Sequence, residues 1–328
     1  MIGCYATGIF PRPKQLIEAT RAYDRQEITK KQLSEAFDEA SDEVIRAQLA
    51  AGFTYVTDGM LKWQDLLRPF TENLLGSGTG RLARWFNNNT FYRKPVIASE
   101  LSRERDAVAE MACVRYLPTN VPWKAVLPAP YTFTKLSENR YYKSEADLMF
   151  AYARLLREEI EDLVKIGFRY VQLSDPSLVY QPDPTPKLKD ALIQVSDALQ
   201  VAIKGLPVRT CLQTYFGDFS SILPEALEFP VNDLGMDLYE TNMTELKGYQ
   251  LGKGVALGCV DYRSSVVEDA NESASVAKQI VRLMSSSKIR DVFICPNCDL
   301  EFLPWERAQQ KMKIIGAVAK QLGDELYA

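Results

Sequence analysis

Along the chain, short runs of β-branched and aromatic residues alternate with longer stretches whose apolar positions recur at three and four. The short runs are almost continuously apolar, the pattern of parallel strands covered on both faces. They fall at Ile2–Ile9, Phe53–Asp58 (FTYVTD), Ala125–Leu127 within KAVLPAP, Arg169–Ser174 (RYVQLS), Val208–Thr214 (VRTCLQT), Asp233–Leu238, Val255–Asp261 (VALGCVD) and Asp291–Cys295. Helical spacing covers Leu33–Ala51, a stripe of Leu148, Tyr152, Leu155, Leu156, Ile160, Leu163 and Val164, then Leu188–Lys204, Ser273–Met284 and Trp305–Leu322. Gly52, Gly167 and Gly205 follow three of these, where a left-handed residue ends a helix. Repeated strand, helix, glycine units predict the α/β class, and about eight strands predict a single (β/α)8 TIM barrel. It would span residues 1–328, with 59–124 as a long insertion between strands 2 and 3, at the catalytic end. An open doubly wound sheet is the competitor, but no Gly-x-Gly-x-x-Gly follows the first strand.

Composition narrows the chemistry. The 328 residues are 46% apolar and 25% charged, with a formal net charge of -4. No stretch approaches the roughly 20 apolar residues of a membrane span, and the start, MIGCYATG, lacks a basic leader, so a cytoplasmic protein is expected. The even, slightly acidic charge argues against a nucleic-acid binder and leaves a small molecule or another protein as partner. There is no histidine, which removes Ser-His-Asp triads, Cys-His proteases and zincin motifs at once. Carboxylates, thiols, lysine, tyrosine or a metal held without imidazole remain. The six cysteines are scattered, as reduced thiols are.

Barrel enzymes carry their chemistry at the C-terminal ends of the strands. The residues expected there are Asp58, Tyr131, Gln172, Asp175, Tyr215, Glu240, Asp261 and Arg263, with Cys295 and Cys298 after the last strand. Asp175, Glu240 and Asp261 are the candidate catalytic groups; solvated rim polarity is the plain alternative. Within the insertion, Arg81, Arg84, Arg93 and Lys94 make a locally basic segment, either a solvated surface or an anion site. Cys295-Pro-Asn-Cys298 is a lone Cys-x-x-Cys, and a closed zinc site needs two more ligands. Cys211 and Glu240 are the residues that would converge on it in a barrel mouth; a core role for the thiols is the competing reading.

At these same segments the sequence resembles the cobalamin-independent methionine synthase family. VQLSDPSLV resembles the family's V-Q-I-D-E-P-A-L, LPAPYTFTKLS its G-P-V-T-F, LGCVDYRS its L-G-V-V-D-G-R, and CPNCDLEFLP its S-C-S-L-L-H-V-P or D-C-G-L-K. LQTYFG is similar to the T-T-Y-F-G of the N-terminal, noncatalytic half of those two-barrel enzymes, and FPRPKQLIEA and NNNTFYRKPVI point the same way. The resemblance implies methyl transfer from 5-methyltetrahydropteroyl-polyglutamate to a zinc-bound homocysteine thiolate. Carried over, the metal ligands would be Cys211, Glu240 and Cys298, with Cys295 in reserve, while the second residue of the family's His-x-Cys pair falls on Gln213. The family's Asp-Glu-Pro reads Ser174-Asp175-Pro176 here. Asp58, Gln172, Tyr131, Tyr215 and Arg263 would line the substrate site, and the basic segment would hold the polyglutamate tail.

With the His-x-Cys pair lost, the expectation is a folate-binding barrel that works with a separate catalytic chain. The alternatives are a self-sufficient zinc-thiolate methyltransferase acting on a thiol and a noncatalytic scaffold barrel. A decarboxylase of the uroporphyrinogen type would have to rely on Arg12 and Arg21.

Overall fold

The computed structural model describes residues 1–86, 88–180, 188–283 and 289–327. Asn87, within the segment NNNTFYRKPVI, and Met284, the expected end of a helix, lie outside them. Seven parallel strands form one curled sheet in the order β1-β10-β9-β8-β7-β6-β4. They are β1 (Ile2–Cys4), β4 (Trp123–Pro128), β6 (Phe168–Ser174), β7 (Arg209–Gln213), β8 (Asp233–Asp237), β9 (Gly254–Val260) and β10 (Val292–Pro296). All seven were legible as apolar runs, though β1 ends at Cys4, well short of Ile9. The expected second strand, Phe53–Asp58, is not a strand: it holds one isolated bridge, Val56 to Trp123. Its backbone nevertheless bonds to both edges of the sheet, Thr54 N–H to Cys4 O at 2.9 Å and Lys124 N–H to Val56 O at 2.8 Å.

Helices α1 (Lys14–Asp24), α2 (Lys30–Ala50), α5 (Glu145–Ile166), α6 (Leu188–Ile203), α7 (Ala270–Leu283) and α8 (Trp305–Tyr327) accompany the sheet, with short α3 (Arg68–Asn73) and α4 (Pro130–Leu136) near its upper end. α2 starts at a capping box in which Thr29 and Gln32 bond reciprocally. α5 starts at Ser144, whose hydroxyl accepts from Asp147 N–H, and ends at Gly167 with φ 125°. Its face Leu148, Tyr152, Leu155, Leu156, Ile160 and Leu163 is buried, as the spacing predicts. No described helix is long and apolar enough to cross a membrane.

Residues 59–124 contain a twisted antiparallel hairpin, β2 (Leu74–Arg84) and β3 (Phe91–Arg103), joined by β5 (Glu138–Asn139) into a second sheet. Arg103 at its base pairs with buried Glu159 of α5 at 2.7 Å and with Asp106 and Asp162. Glu159 also accepts from Ala107 N–H and Val108 N–H, so the hairpin is fixed to α5.

The inner face of the large sheet is unusually polar for a sheet interior, which in such folds is mostly branched and apolar. On this face Tyr5, Tyr170, Cys211, Ala256, Phe293 and Cys295 pack together. Tyr170 donates to Asp233 at 2.8 Å, and Asp233 takes both Nε and Nη2 of Arg209 at 2.7 and 2.6 Å. Fully buried Lys124 donates to Ala6 O and to Gln172 Oε1 and lies 3.6 Å from the Tyr5 ring centre. Two inner glycines leave room for these long groups. A Cβ on Gly254 would stand 1.9 Å from Asp233 Oδ1, and one on Gly235 would stand 2.1 Å from Gln213 Oε1.

Candidate active site at the C-terminal ends of the strands

Four strands, three of them adjacent, deliver acceptors to one end of the sheet. Asp175 follows β6, Gln213 and Asp237 end β7 and β8, and Asp299 follows β10. All four side chains are buried, and each keeps one oxygen without a hydrogen-bond partner: Asp175 Oδ2, Gln213 Oε1, Asp237 Oδ2 and Asp299 Oδ1. Thr132 donates to the other Asp175 oxygen at 2.6 Å, and Tyr215 to the other Asp299 oxygen at 3.4 Å. Burial pushes the Asp175 and Asp299 carboxyls up to about 7 and that of Asp237 up to about 6, the nearby Arg263 opposing the last. Gly8 admits Asp299, whose Oδ1 would lie 1.8 Å from a Cβ there. Buried acceptors without donors among the protein groups, at the end of the sheet where this class of fold does its chemistry, make this end the candidate ligand site.

Two cavities lie beside the loops that follow the strands, and none of these four acceptors lines either of them. The first, of about 510 Å³, is walled by Phe10, Trp63 and Trp305 with Arg12, Lys14 and Glu301. The second, of about 480 Å³, lies between Asn88, Asn89 and Thr90 of the hairpin tip and Arg263, Glu301 and Phe302. The hairpin tip reaches the rim through Phe86, whose ring packs 5.6 Å from Phe216 and 5.1 Å from Tyr180. Phe86 and Phe216 both hold positive φ, 48° and 68°, a costly conformation for a bulky residue and one that gathers at functional sites.

The expected site residues separate into three groups. Asp175, Tyr215, Arg263, Asp261 and Glu240 are at the rim. Arg263 binds Glu240 at 2.6 Å and Asp261 at 3.2 Å, and Asn297 donates to Asp261 at 2.9 Å. Tyr131 starts α4 beside Asp175 and is half-buried, which raises its hydroxyl to about 12. Asp58 and Gln172 are consumed internally. Asp58 accepts from Met60 N–H and Cys113 N–H, and Gln172 spans Lys124, Thr7 O and Ser174 inside the sheet. Gln172 lies two residues before the end of β6, a full layer below the rim. Arg81, Arg84 and Arg93 are exposed on the hairpin, Lys94 is half-buried, and none has an ion pair within 4 Å among the described residues.

The expected metal set is not assembled. Cys211 lies two residues below the end of β7, facing Tyr5 at 3.8 Å, while Glu240 lies three residues beyond β8 and pairs with Arg263. At about 3.3 Å per strand residue these positions are layers apart. Cys298 is buried against Asp299 O, and Cys295 belongs to the inner cluster. Burial raises all three thiols, away from the thiolate a metal needs. Among the described residues no three His, Cys, Asp or Glu side chains are grouped to hold a metal ion, so the residues present do not fit the family's zinc.

Sequence reasoning placed Trp63 after the second expected strand and weighed Arg12 only for a decarboxylase; it missed Glu301 as a cavity wall, and the Asp237 and Asp299 carboxyls. The last two were legible as acids at strand ends, overshadowed by Glu240 and Cys298 beside them.

The family model described as "Cobalamin-independent synthase, Catalytic domain" matches residues 4–321. The methionine synthase of Sulfolobus acidocaldarius is 27% identical over 308 residues, covering 93% of this chain and 87% of that protein. That of Saccharolobus solfataricus is 28% identical over 324 residues, covering 97% and 94%. A B12-independent methionine synthase from Shewanella sp. W3-18-1, solved with selenomethionine, shares the fold at TM-score 0.83 and 20% identity, covering 100% of this chain and 99% of that one.

Proposed function

Because the chain belongs to the cobalamin-independent methionine synthase catalytic-domain family, we propose that it moves a methyl group from a 5-methyltetrahydropteroyl-polyglutamate to a thiol of the homocysteine kind. Both substrates would sit at the mouth of a closed (β/α)8 barrel, with residues 54–56 as its eighth stave and 59–124 as the insertion. The observation that carries this reading is the pair of cavities that share Glu301 in the loop after β10.

The indole walls of Trp63 and Trp305 suit a flat pterin. Arg93 N–H bonds to Asp65, close to Trp63 and Gln64 on the wall of this first cavity, so the hairpin adjoins it. A polyglutamate tail leaving the cavity then meets Arg93, Lys94, Arg81 and Arg84. In the second cavity Arg263 faces the carboxylate of a thiol amino acid, with buried Asp237 3.9 Å away from its guanidinium. Asp175 lies at the same strand ends, Tyr131 and Tyr215 flank it, and Asp261 orients Arg263. No step runs through a metal.

A folate-holding barrel paired with a separate catalytic chain is the second reading, favoured by the dispersal of Cys211, Glu240 and Cys298. One experiment separates the two: the purified, untagged chain is given 5-methyltetrahydropteroyl-triglutamate and homocysteine, and methionine is followed by mass spectrometry alongside quenching of tryptophan fluorescence. Methionine made by the chain alone supports the first reading. Quenching without turnover supports the second, and neither signal sinks both.

A further inference from the structure

Methyl transfer from a tertiary amine to a thiol has a proton to place. In RSH + CH3–N → RSCH3 + H–N the sulfur must lose a proton and the nitrogen must gain one, and the two atoms approach from opposite sides of the methyl carbon. A chain without histidine has no ordinary group that exchanges protons near neutrality. It needs a displaced carboxyl, placed so that both substrates reach it.

Among the described residues, Glu301 is the one side chain that lines both mouth cavities. It sits in the short turn Leu300–Phe302 after β10, with Phe302 turned to the second cavity and Leu303 to the first. The charged groups around it come from several elements: Arg12 from the segment after β1, Asp65 from the loop before α3, and Asp299 from its own loop. Lys14 and Glu306 share the first cavity with it and Arg263 the second. It makes no ion pair within 4 Å among the described residues.

We propose that Glu301 is the catalytic acid and base of this reaction, passing one proton from the thiol in the second cavity to the pterin nitrogen in the first. The inference rests on the reading given above. In the first step the Glu301 carboxylic acid protonates the methyl-bearing nitrogen and becomes a carboxylate. In the second the sulfur–carbon bond forms, the carbon–nitrogen bond breaks with its electron pair returning to nitrogen, and the thiol proton passes to Glu301. The side chain ends as it began, so no oxidant, reductant or metal is consumed. Burial, with Asp299 and Asp65 adding to it and Arg12 opposing, holds this carboxyl up at about 8, so it starts each cycle as the acid.

The test compares the untagged wild type with Glu301→Gln and Glu301→Ala, each first shown to keep the wild-type thermal midpoint and folate quenching. Removing the group is expected to slow methionine formation by about 10²- to 10⁴-fold with little change in KM, and to abolish the alkaline limb of the pH–rate profile near 8. Formate should restore part of the Glu301→Ala rate and none of the Glu301→Gln rate, since the amide still fills the place. Glu301→Gln within about threefold of wild type at every pH overturns the proposal while leaving the methyl-transfer reading intact. A wild type that binds both substrates and makes no methionine overturns both, and that failure shows before any variant is compared.

Discussion

The two ends of the large sheet's inner face are both polar, yet only one of them is satisfied. At the strand starts Asp233 takes three hydrogen bonds from Arg209 and Tyr170, and Lys124 finds a carbonyl, an amide oxygen and a ring face. At the strand ends Asp175, Gln213, Asp237 and Asp299 each keep an oxygen without a donor. An unpaired buried acceptor costs about 1–3 kcal/mol, so the upper end is the less stable arrangement of similar groups. Polar groups in the lower half satisfy one another, whereas those in the upper half keep acceptors without a donor among the protein groups.

Breaking the satisfied end should have the largest effect. Asp233→Asn strips half-buried Arg209 of its bidentate partner, leaving it only Asp291, and changes the buried acceptor of Tyr170; it is expected to cost about 3–5 kcal/mol in urea unfolding. The unsatisfied end should respond in the opposite sense. Asp175 stands near 7 in the folded chain against an ordinary 3.8, so the native state binds the extra proton. Its contribution is fully present below about pH 4 and is lost as pH rises through 7. Asp175→Asn should therefore flatten the fall in stability between pH 5 and pH 8 by roughly 3 kcal/mol; an unchanged slope would count against an unpaired carboxyl there.

Sharpening the comparison further, Gly8→Ala should displace Asp299 from the upper end, at about 1–3 kcal/mol of stability. Homocysteine binding by calorimetry should weaken in the same variant, whereas a structural glycine would affect stability alone. The smallest effect concerns metal. Dialysis against a chelator should move the thermal midpoint by less than about 1 °C, since a bound metal at a hundredfold its dissociation constant would contribute about 2.7 kcal/mol. Elemental analysis showing one tightly bound zinc per chain would overturn the reading of a dispersed thiol set.

Much of this architecture was legible because parallel strands announce themselves as apolar runs and long helices as stripes. What escaped did so for identifiable reasons. α1 buries only Leu16 among its apolar residues, too thin a stripe to read. The 54–56 segment makes its edge bonds without repeating them, so an apolar run was mistaken for a full strand. The hairpin mixes exposed Leu82 and Phe91 with arginines and glycines, blurring its alternation. Asp175, Asp261 and Arg263 stand after the ends of their strands, where the order of apolar runs put them. Register decided the rest: Gln172 and Cys211 point into the sheet one layer too low, and Asp237 holds the strand end that Glu240 overshoots. Glu301 became visible only when two cavities were seen to share it, a relation between distant segments that no local pattern carries.

The glycines of the inner face imply how this sequence can drift. Gly235 is shaped around the end of Gln213, Gly254 around Asp233, and Gly8 around Asp299. Each is half of a mould and its casting, drawn from a different strand or loop. Adding a methyl to one half is tolerable only when the other half shortens in the same lineage, so these positions should change in pairs. Relatives that carry alanine at the counterpart of Gly235 are then expected to have lost the long amide opposite, and with it one of the four acceptors of the upper end.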